Sequence, residues 1–482
     1  MNYSPIIGLE IHCELKTKTK MFCSCENDPD ETKPNLNICP ICMGHPGTLP
    51  VINKKALEMV IKAGLALNSK IAAETYFERK NYFYPDLPKG YQISQYAVPL
   101  CSGGYLKIPN TNRKIRITRI HLEEDTGRLL HSQNEDYSLI DFNRAGVPLM
   151  ELVTEPDIQS AKEARQFAEE LQLILRYLGI SDADMEKGQM RVEVNISLGK
   201  EGKLGTKVEI KNLNSFQAVE KASEYEIKRQ SEILDKGEKI IQETRGWDSI
   251  KGKTFSQRIK EEANDYRYFP EPDLPPLNLS NIEESIPELP QQKRERFQEE
   301  YKIGLKEIEI LIQNKDLADY FEEVASELKD WAKTKKITQD QIPSLIKIAT
   351  NYLETDLLGL MKENNVSIKN LKITPENFAE LITILWNKEI SSRVGKDVLL
   401  EMFKTGADPT YVIEDKKLKQ VSDEVVIEEI AKKIIQENPK PVEDYKKGKE
   451  NALQFLIGQV MKETKGRVNP AKAREILSSL LK

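Results

Sequence analysis

The sequence predicts an α+β protein: an antiparallel-sheet domain over residues 1–290, an all-helical domain over 291–408 and a small helical tail over 409–482. Three observations predict this. Alternating apolar and polar residues recur in the first block, among Gly/Pro turns and aromatic clusters. Helical spacing takes over from about residue 291, as in Leu317–Lys329 and Ile342–Lys362. Gly406-Ala407-Asp408-Pro409 then breaks the helical pattern.

The first strand reads Gly8-Leu9-Glu10-Ile11-His12-Cys13-Glu14-Leu15, with Leu9, Ile11, Cys13 and Leu15 on one face and Glu10, His12 and Glu14 on the other. Arg191–Leu198 repeats the device, with Val192, Val194, Ile196 and Leu198 inward and Arg191, Glu193, Asn195 and Ser197 outward. Lys207-Val208-Glu209-Ile210-Lys211 does so again, and Gly199–Lys207 reads as the hairpin loop between the two. Either the polar faces simply meet water or they line a site. In the second block Thr374 reads as a helix N-cap, with Pro375 at the first helical position. Ser422 or Asp423 offers a cap in the tail, without the partner of a full capping box.

A chain of 482 residues exceeds one core, and 39% hydrophobic with 31% charged residues is a globular composition. The longest apolar runs, such as Leu357–Met361 and Leu381–Trp386, fall far short of the roughly 20 residues that cross a bilayer, so no membrane partner is expected. The start shows neither a basic flank nor a small-residue cleavage site, and six cysteines are too few for a disulfide scaffold, so the expected compartment is a reducing cytoplasm. The net charge of −6 does not advertise nucleic acid, but Tyr445–Lys482 holds nine Lys/Arg against three Glu. That segment is either a solvated helical face or a source of phosphate contacts.

Two motifs point to metal. Cys23-Ser24-Cys25 and Cys39-Pro40-Ile41-Cys42 are thiolate pairs spaced for a closed, tetrahedral, structural Zn²⁺ site. Glu10 and His12 on one strand face, the run His121-Leu122-Glu123-Glu124-Asp125, and Glu151 suggest an oxygen-rich site, whose carboxylates are hard ligands suited to Mg²⁺, with Glu193 alongside. The run Phe77–Gln95 interleaves aromatics with Arg, Lys and Asn. It is either an aromatic core loop or a clamp for a nucleotide or a nucleic-acid end.

Longer stretches carry a resemblance. GLEIH (8–12), GTLPVINKKA (47–56), FERKNYFYPDLPKGYQISQ (77–95), RIHLEEDTGR (119–128), DFNRAGVPLMELVTEPDI (141–158), VEIKNLNSF (208–216), ETRGWD (243–248) and DYRYFPEPDLPP (265–276) resemble the GatB/GatE family, the B subunits of tRNA-dependent amidotransferases. GKENALQFLIGQVMKETKGRVNP (448–470) is similar to that family's YqeY-like tail. The resemblance runs in order along essentially the whole chain. Members of the family often carry Asp where this chain has Glu193.

The resemblance implies a catalytic cradle over 1–290 that uses ATP to phosphorylate the side-chain carboxylate of Glu or Asp misacylated on tRNA(Gln) or tRNA(Asn). It is an ATP-dependent carbon–nitrogen ligase chemistry with glutamine as amido donor. The ammonia comes from a partner amidase, the A subunit, and a small C subunit completes a heterotrimer. Glu10, His12, Glu124 and Glu151 are then the catalytic candidates, and Glu10, His12, Glu124 and Glu193 the Mg²⁺ ligands. Lys80, Tyr82, Lys89 and Lys211 are candidates for holding ATP, and Lys446, Lys447, Lys449, Lys462, Lys465 and Arg467 for gripping tRNA. The chain has no GxxxxGK[ST] loop, so phosphates must be held by carboxylate-bound metal and basic side chains. Two other classes stay open on residues alone: a zinc-bearing RNA-binding protein, and a free-standing metal hydrolase built on His12, Glu124 and Glu151.

Overall fold

The computed structural model describes residues 3–481 apart from 29, 132–135, 201–203, 260–264, 281, 283, 336, 417–423 and 465–467. The chain forms two compact units, Met1–Gln291 and Gln292–Lys482.

A ten-stranded sheet organises the first unit, in the spatial order Lys253–Ile259, Glu243–Asp248, Val208–Leu213, Met190–Gly199, Ser4–Glu14, Pro148–Thr154, Lys114–Glu124, Cys101–Ser102 and Lys70–Ile71, with Tyr105–Lys107 also paired to Lys114–Glu124. The pairing is antiparallel with one exception, Val208–Leu213 beside Glu243–Asp248. That parallel pair departs from the expected all-antiparallel sheet for a covalent reason: the 20-residue helix Phe216–Asp235 connects its strands as a crossover. Ser215 caps this helix by accepting from Ala218 N. Its fully buried Glu226 accepts from Gln230 Nε2 at 3.0 Å and Thr254 Oγ1 at 3.2 Å, and pairs with Arg229, tying helix to sheet edge.

The alternation read from the sequence sorts the sheet into two chemistries. Leu9, Ile11 and Cys13, with Ile120, Leu122, Met150, Leu152, Val192, Val194 and Ile196, bury one face against helices Lys54–Ala66, Ala161–Tyr177 and Phe216–Asp235. Fully burying side chains of this size contributes about 1.5–3 kcal/mol each, which fixes the register, since a one-residue slip would turn every one of them outward. The other face carries the polar partners. The GKEGKLGTK segment does connect two antiparallel neighbours, although residues 201–203 of it lie outside the described set.

In the second unit, Thr374 caps helix Pro375–Trp386, its side chain accepting from Asn377 N, and Gly406 closes helix Ser392–Thr405 at φ +77°. Ser422 and Asp423 lie outside the described residues. Helices within 424–481 enclose their own core of Ile427, Ala431, Leu453, Leu456, Val460 and Leu477. Phe455 is 46% exposed, because the buried stripe runs 453, 456, 457, 460 and residue 455 falls off it.

Glu354 sits in the π-helical turn Tyr352–Leu357, and its Oε1 is buried with no hydrogen-bond partner among the described residues. Burial, then Glu307, pushes its carboxyl up to about 7, with Lys306 opposing. A raised carboxyl pKa means that this group destabilises the fold once ionised: its contribution is intact below the unfolded value and lost as pH climbs through about 7. Glu354→Gln should therefore gain stability over wild type at pH 8.5, on the order of 1 kcal/mol after allowing for partial exposure, and little at pH 4. Urea midpoints at the two pH values check this; equal gains at both would refute it.

Candidate active site and metal centres

Register puts the polar residues of five neighbouring strands into one patch. His12 lies opposite Glu151 and Arg191, Glu10 opposite Val153 and Glu193, Glu151 opposite His121, and Asn195 opposite Glu209. Glu151 is the centre of it. His12 Nε2 and His121 Nε2 each stand 3.4 Å from Glu151 Oε2 and 3.7 Å from a Glu123 oxygen, and His12 Nε2 is 3.9 Å from Glu10. One step along the sheet, Lys211 reaches Glu193 at 2.9 Å and Glu209 at 3.6 Å.

Charge is crowded here. Burial and then the Glu151 and Glu193 carboxylates push the Glu10 carboxyl above its usual range. Burial works against ionised Glu151 too, but His121 and His12 outweigh it and hold the group well below the usual carboxylate range. Burial likewise opposes charging of His121, yet Glu151 and Glu123 raise it to about 9. Three overlapping sets present ligand atoms within 4.8 Å of one another: Glu10–His12–Glu151, His121–Glu123–Glu151 and Glu10–Glu193–Glu209. Like-charged carboxylates packed this closely are relieved by a divalent cation, and an oxygen-rich set with imidazole nitrogen in reach fits Mg²⁺ or Mn²⁺.

Of the candidates named from sequence, Glu10, His12, Glu151 and Glu193 are brought together and Glu124 is not. Lys114–Glu124 is a strand to its last residue, so Arg119, His121 and Glu123 share the polar face while Glu124 points the other way. There Glu124 Oε2 takes Lys89 Nζ at 2.5 Å and Oε1 accepts from Ile93 N at 3.0 Å. Glu123 occupies the place expected of Glu124; parity with His121 is the sequence signal that marks it.

Beside the patch opens a cavity of about 610 Å³, lined by Glu10, His121, Glu151, Asn195, Glu209 and Lys211 on the sheet side, and by Lys80, Tyr96 and residues 265–268. Lys80 and Lys211 thus reach this cavity. Tyr82 stands behind its wall, its ring 6.1 Å from that of Tyr266, and Lys89 lines a different, smaller cavity of about 190 Å³. Sequence does not single out Arg119, Asn195, Lys207 and Glu209 as site residues, since their meeting depends on which strands are neighbours.

That smaller cavity is walled by the cysteine loop. Sγ atoms of Cys23, Cys25, Cys39 and Cys42 lie within 4.8 Å of one another, and none is in a disulfide. Cys42 Sγ accepts from Cys39 N at 3.1 Å and has Lys20 Nζ at 4.0 Å. The Cys23 hydrogen bond, together with Lys20, pulls the Cys42 thiol down to about 5, while burial pushes Cys25 up to about 11. A four-sulfur set sharing its protons in this way fits a soft, tetrahedral metal with no open position. The loop is also seated on the chain beyond it: at Gly44, φ +69°, a Cβ would come 2.4 Å from Lys89 Cγ.

In the tail, Lys446, Lys447, Lys449 and Lys462 are exposed, with Lys447 3.6 Å from Glu443 and Lys449 3.0 Å from Asp444; Lys465 and Arg467 lie outside the described residues. No helix among the described residues is long and apolar enough to cross a membrane.

Comparison with known proteins shows the family. Residues 5–284 match the family model of the GatB/GatE catalytic domain, and residues 319–481 match that of the GatB domain. Three relatives are each named as the B subunit of an aspartyl/glutamyl-tRNA(Asn/Gln) amidotransferase. That of Persephonella marina is 49% identical, with 100% of both chains covered. That of Caldicellulosiruptor saccharolyticus is 50% identical over 99% of this chain and 98% of its own, and that of Thermotoga petrophila 46% over 100% and 99%.

Proposed function

Because the chain belongs to the GatB/GatE family, we propose that it is the B subunit of a cytoplasmic tRNA-dependent amidotransferase, assembled with an amidase (the A subunit) and a small C subunit. It phosphorylates the side-chain carboxylate of Glu-tRNA(Gln), Asp-tRNA(Asn) or both with ATP. Ammonia released from glutamine by the amidase then replaces the phosphate. The observation that carries this reading is the acid–histidine patch beside a cavity lined with lysines, a setting for moving a phosphoryl group between two anions.

The chemistry needs activation because a carboxylate repels a nucleophile and offers no leaving group. A substrate carboxylate oxygen attacks the γ-phosphorus and ADP departs. Ammonia then attacks the acyl carbon, inorganic phosphate leaves, and one proton is shed. Glu10, His12, Glu123 and Glu151, with Glu193 adjoining, would hold Mg²⁺, which would supply positive charge to neutralise the phosphate oxygens. Lys80 and Lys211 supply cationic ends for the remaining phosphate oxygens. Glu124, paired with Lys89, lines the smaller cavity.

Cys23, Cys25, Cys39 and Cys42 would hold Zn²⁺, which would shape the loop, and residues 409–482 form the tRNA-gripping end. Protein purified under reducing conditions should hold one zinc per chain. Replacing Cys39 and Cys42 by Ser should abolish it and expose the 20–48 loop to proteolysis while the sheet core stays folded. Zinc absent from the wild type by elemental analysis would refute the assignment. The function itself is tested by reconstituting the three subunits and supplying each misacylated tRNA with glutamine and ATP. ATP-dependent formation of Gln-tRNA or Asn-tRNA is expected; failure on both substrates overturns it.

A further inference from the structure

Opposite the carboxylates, the large cavity is walled by tyrosines. Tyr96 stacks on Tyr268 with ring centroids 4.5 Å apart and planes at 12°. Tyr266 meets Tyr268 edge-on at 6.2 Å, and Lys80 Nζ lies 5.1 Å from the Tyr266 ring centre. Both halves of the stack are fixed through the strand Glu78–Asn81. Glu78 Oε2 accepts from Tyr96 N at 2.8 Å and from Ala97 N at 2.7 Å. Asn81 Nδ2 donates to Arg267 O at 2.9 Å and Asn81 N to Tyr266 O at 2.9 Å, while Asp265 Oδ1 accepts from Arg267 N, closing a turn with Arg267 at φ +46°. Backbone held in that left-handed region costs energy unless its surroundings impose it, so the turn presents its tyrosines in one fixed arrangement.

Although so firmly held, Tyr96 is 57% exposed. A large, pre-oriented π-surface left open at a cavity rim, with lysines and arginines along the walls, is complementary to a flat heteroaromatic ring that carries phosphate. Asn195 lines the same cavity, and its Oδ1 is buried with no hydrogen-bond partner among the described residues, an acceptor left for an occupant's N–H or O–H.

We propose that the Tyr96–Tyr268 stack is the platform on which an adenine ring of the substrates lies. This rests on the amidotransferase reading, in which two substrates bring adenosine: ATP, and the 3′-terminal nucleotide of the charged tRNA. The platform sets the base aside so that phosphate or aminoacyl ester extends past Lys80 toward Glu151.

Tyr96→Leu and Tyr96→Trp in the complete three-subunit complex test it, the exposure of Tyr96 making both tolerable to the fold. Base–aromatic stacking corresponds to a loss of roughly 5- to 100-fold when the ring is removed. With Tyr96→Leu, either the Kd for Mg-ATP, measured by calorimetry without tRNA, or the KM for charged tRNA at saturating ATP should rise by that factor. Which one moves identifies the adenosine. Tyr96→Trp should keep wild-type values. Unchanged Kd and KM in the Leu variant would overturn the proposal, as would equal losses in Leu and Trp. If the wild-type complex amidated no tRNA, the amidotransferase reading would fall, whereas the ATP titration would still decide whether the platform takes a base.

Discussion

Glu10→Gln should lower tRNA-dependent ATP hydrolysis and amide formation by at least about a hundredfold, while leaving thermal stability unchanged or higher. Both halves follow from the same geometry. Glu10 belongs to two of the close ligand sets, one with His12 and Glu151 and one with Glu193 and Glu209, so its loss would remove a charge that a bound metal would need. Without metal that charge is unwelcome, since burial and the Glu151 and Glu193 carboxylates already push the Glu10 carboxyl upward. Glu123→Gln should likewise cost metal affinity. Glu124→Gln should leave it intact, because Glu124 faces Lys89 and the cysteine loop. Mn²⁺ binding followed by electron paramagnetic resonance separates the three. Full Mn²⁺ affinity in Glu10→Gln, or its loss in Glu124→Gln but not in Glu123→Gln, would mean that the ion sits elsewhere.

Reversing Lys446, Lys447 and Lys449 to Glu should raise the KM for charged tRNA at least tenfold, with little change in kcat for bound substrate. The three side chains are exposed, and the ion pairs of Lys447 and Lys449 are surface pairs worth at most about 1 kcal/mol, easily exchanged for phosphate. Each phosphate no longer neutralised should flatten the dependence of log K on log salt by about 0.7–0.9. The core of Leu453, Leu456 and Val460 is untouched by these changes, so the tail stays folded. Truncation near residue 408 should have the larger effect in the same direction. Unchanged affinity at two salt concentrations would show that the face is only solvated. The division of the second unit near residue 408 is tested by the same truncated chain, which should still assemble with its partners.

The residues alone determined a good deal of this protein. Period-2 alternation in Leu9–Leu15 and Val192–Leu198 determined which side chains enter the core and which stay on the polar face, since a strand has no other choice. Thr374-Pro375 set a helix start and Gly406 a helix end, because cap chemistry is local. The spacing of Cys23, Cys25, Cys39 and Cys42 sufficed to bring the four together, since short loops leave thiols little room to part. Long-range packing settled the rest. Parity with His121 marks Glu123 as the partner of Glu151 only if the strand runs on past it, a boundary that three acids in a row do not mark. That Glu209 and Asn195 meet, and that Glu10 faces Glu193, depends on strand order, which long-range hydrogen-bond pairing sets. The parallel pair at the sheet edge and the stacking of Tyr96 on the sequence-distant Tyr268 are of the same kind. Alternation tells a residue which face it occupies, and only the folded sheet tells it who its neighbours are.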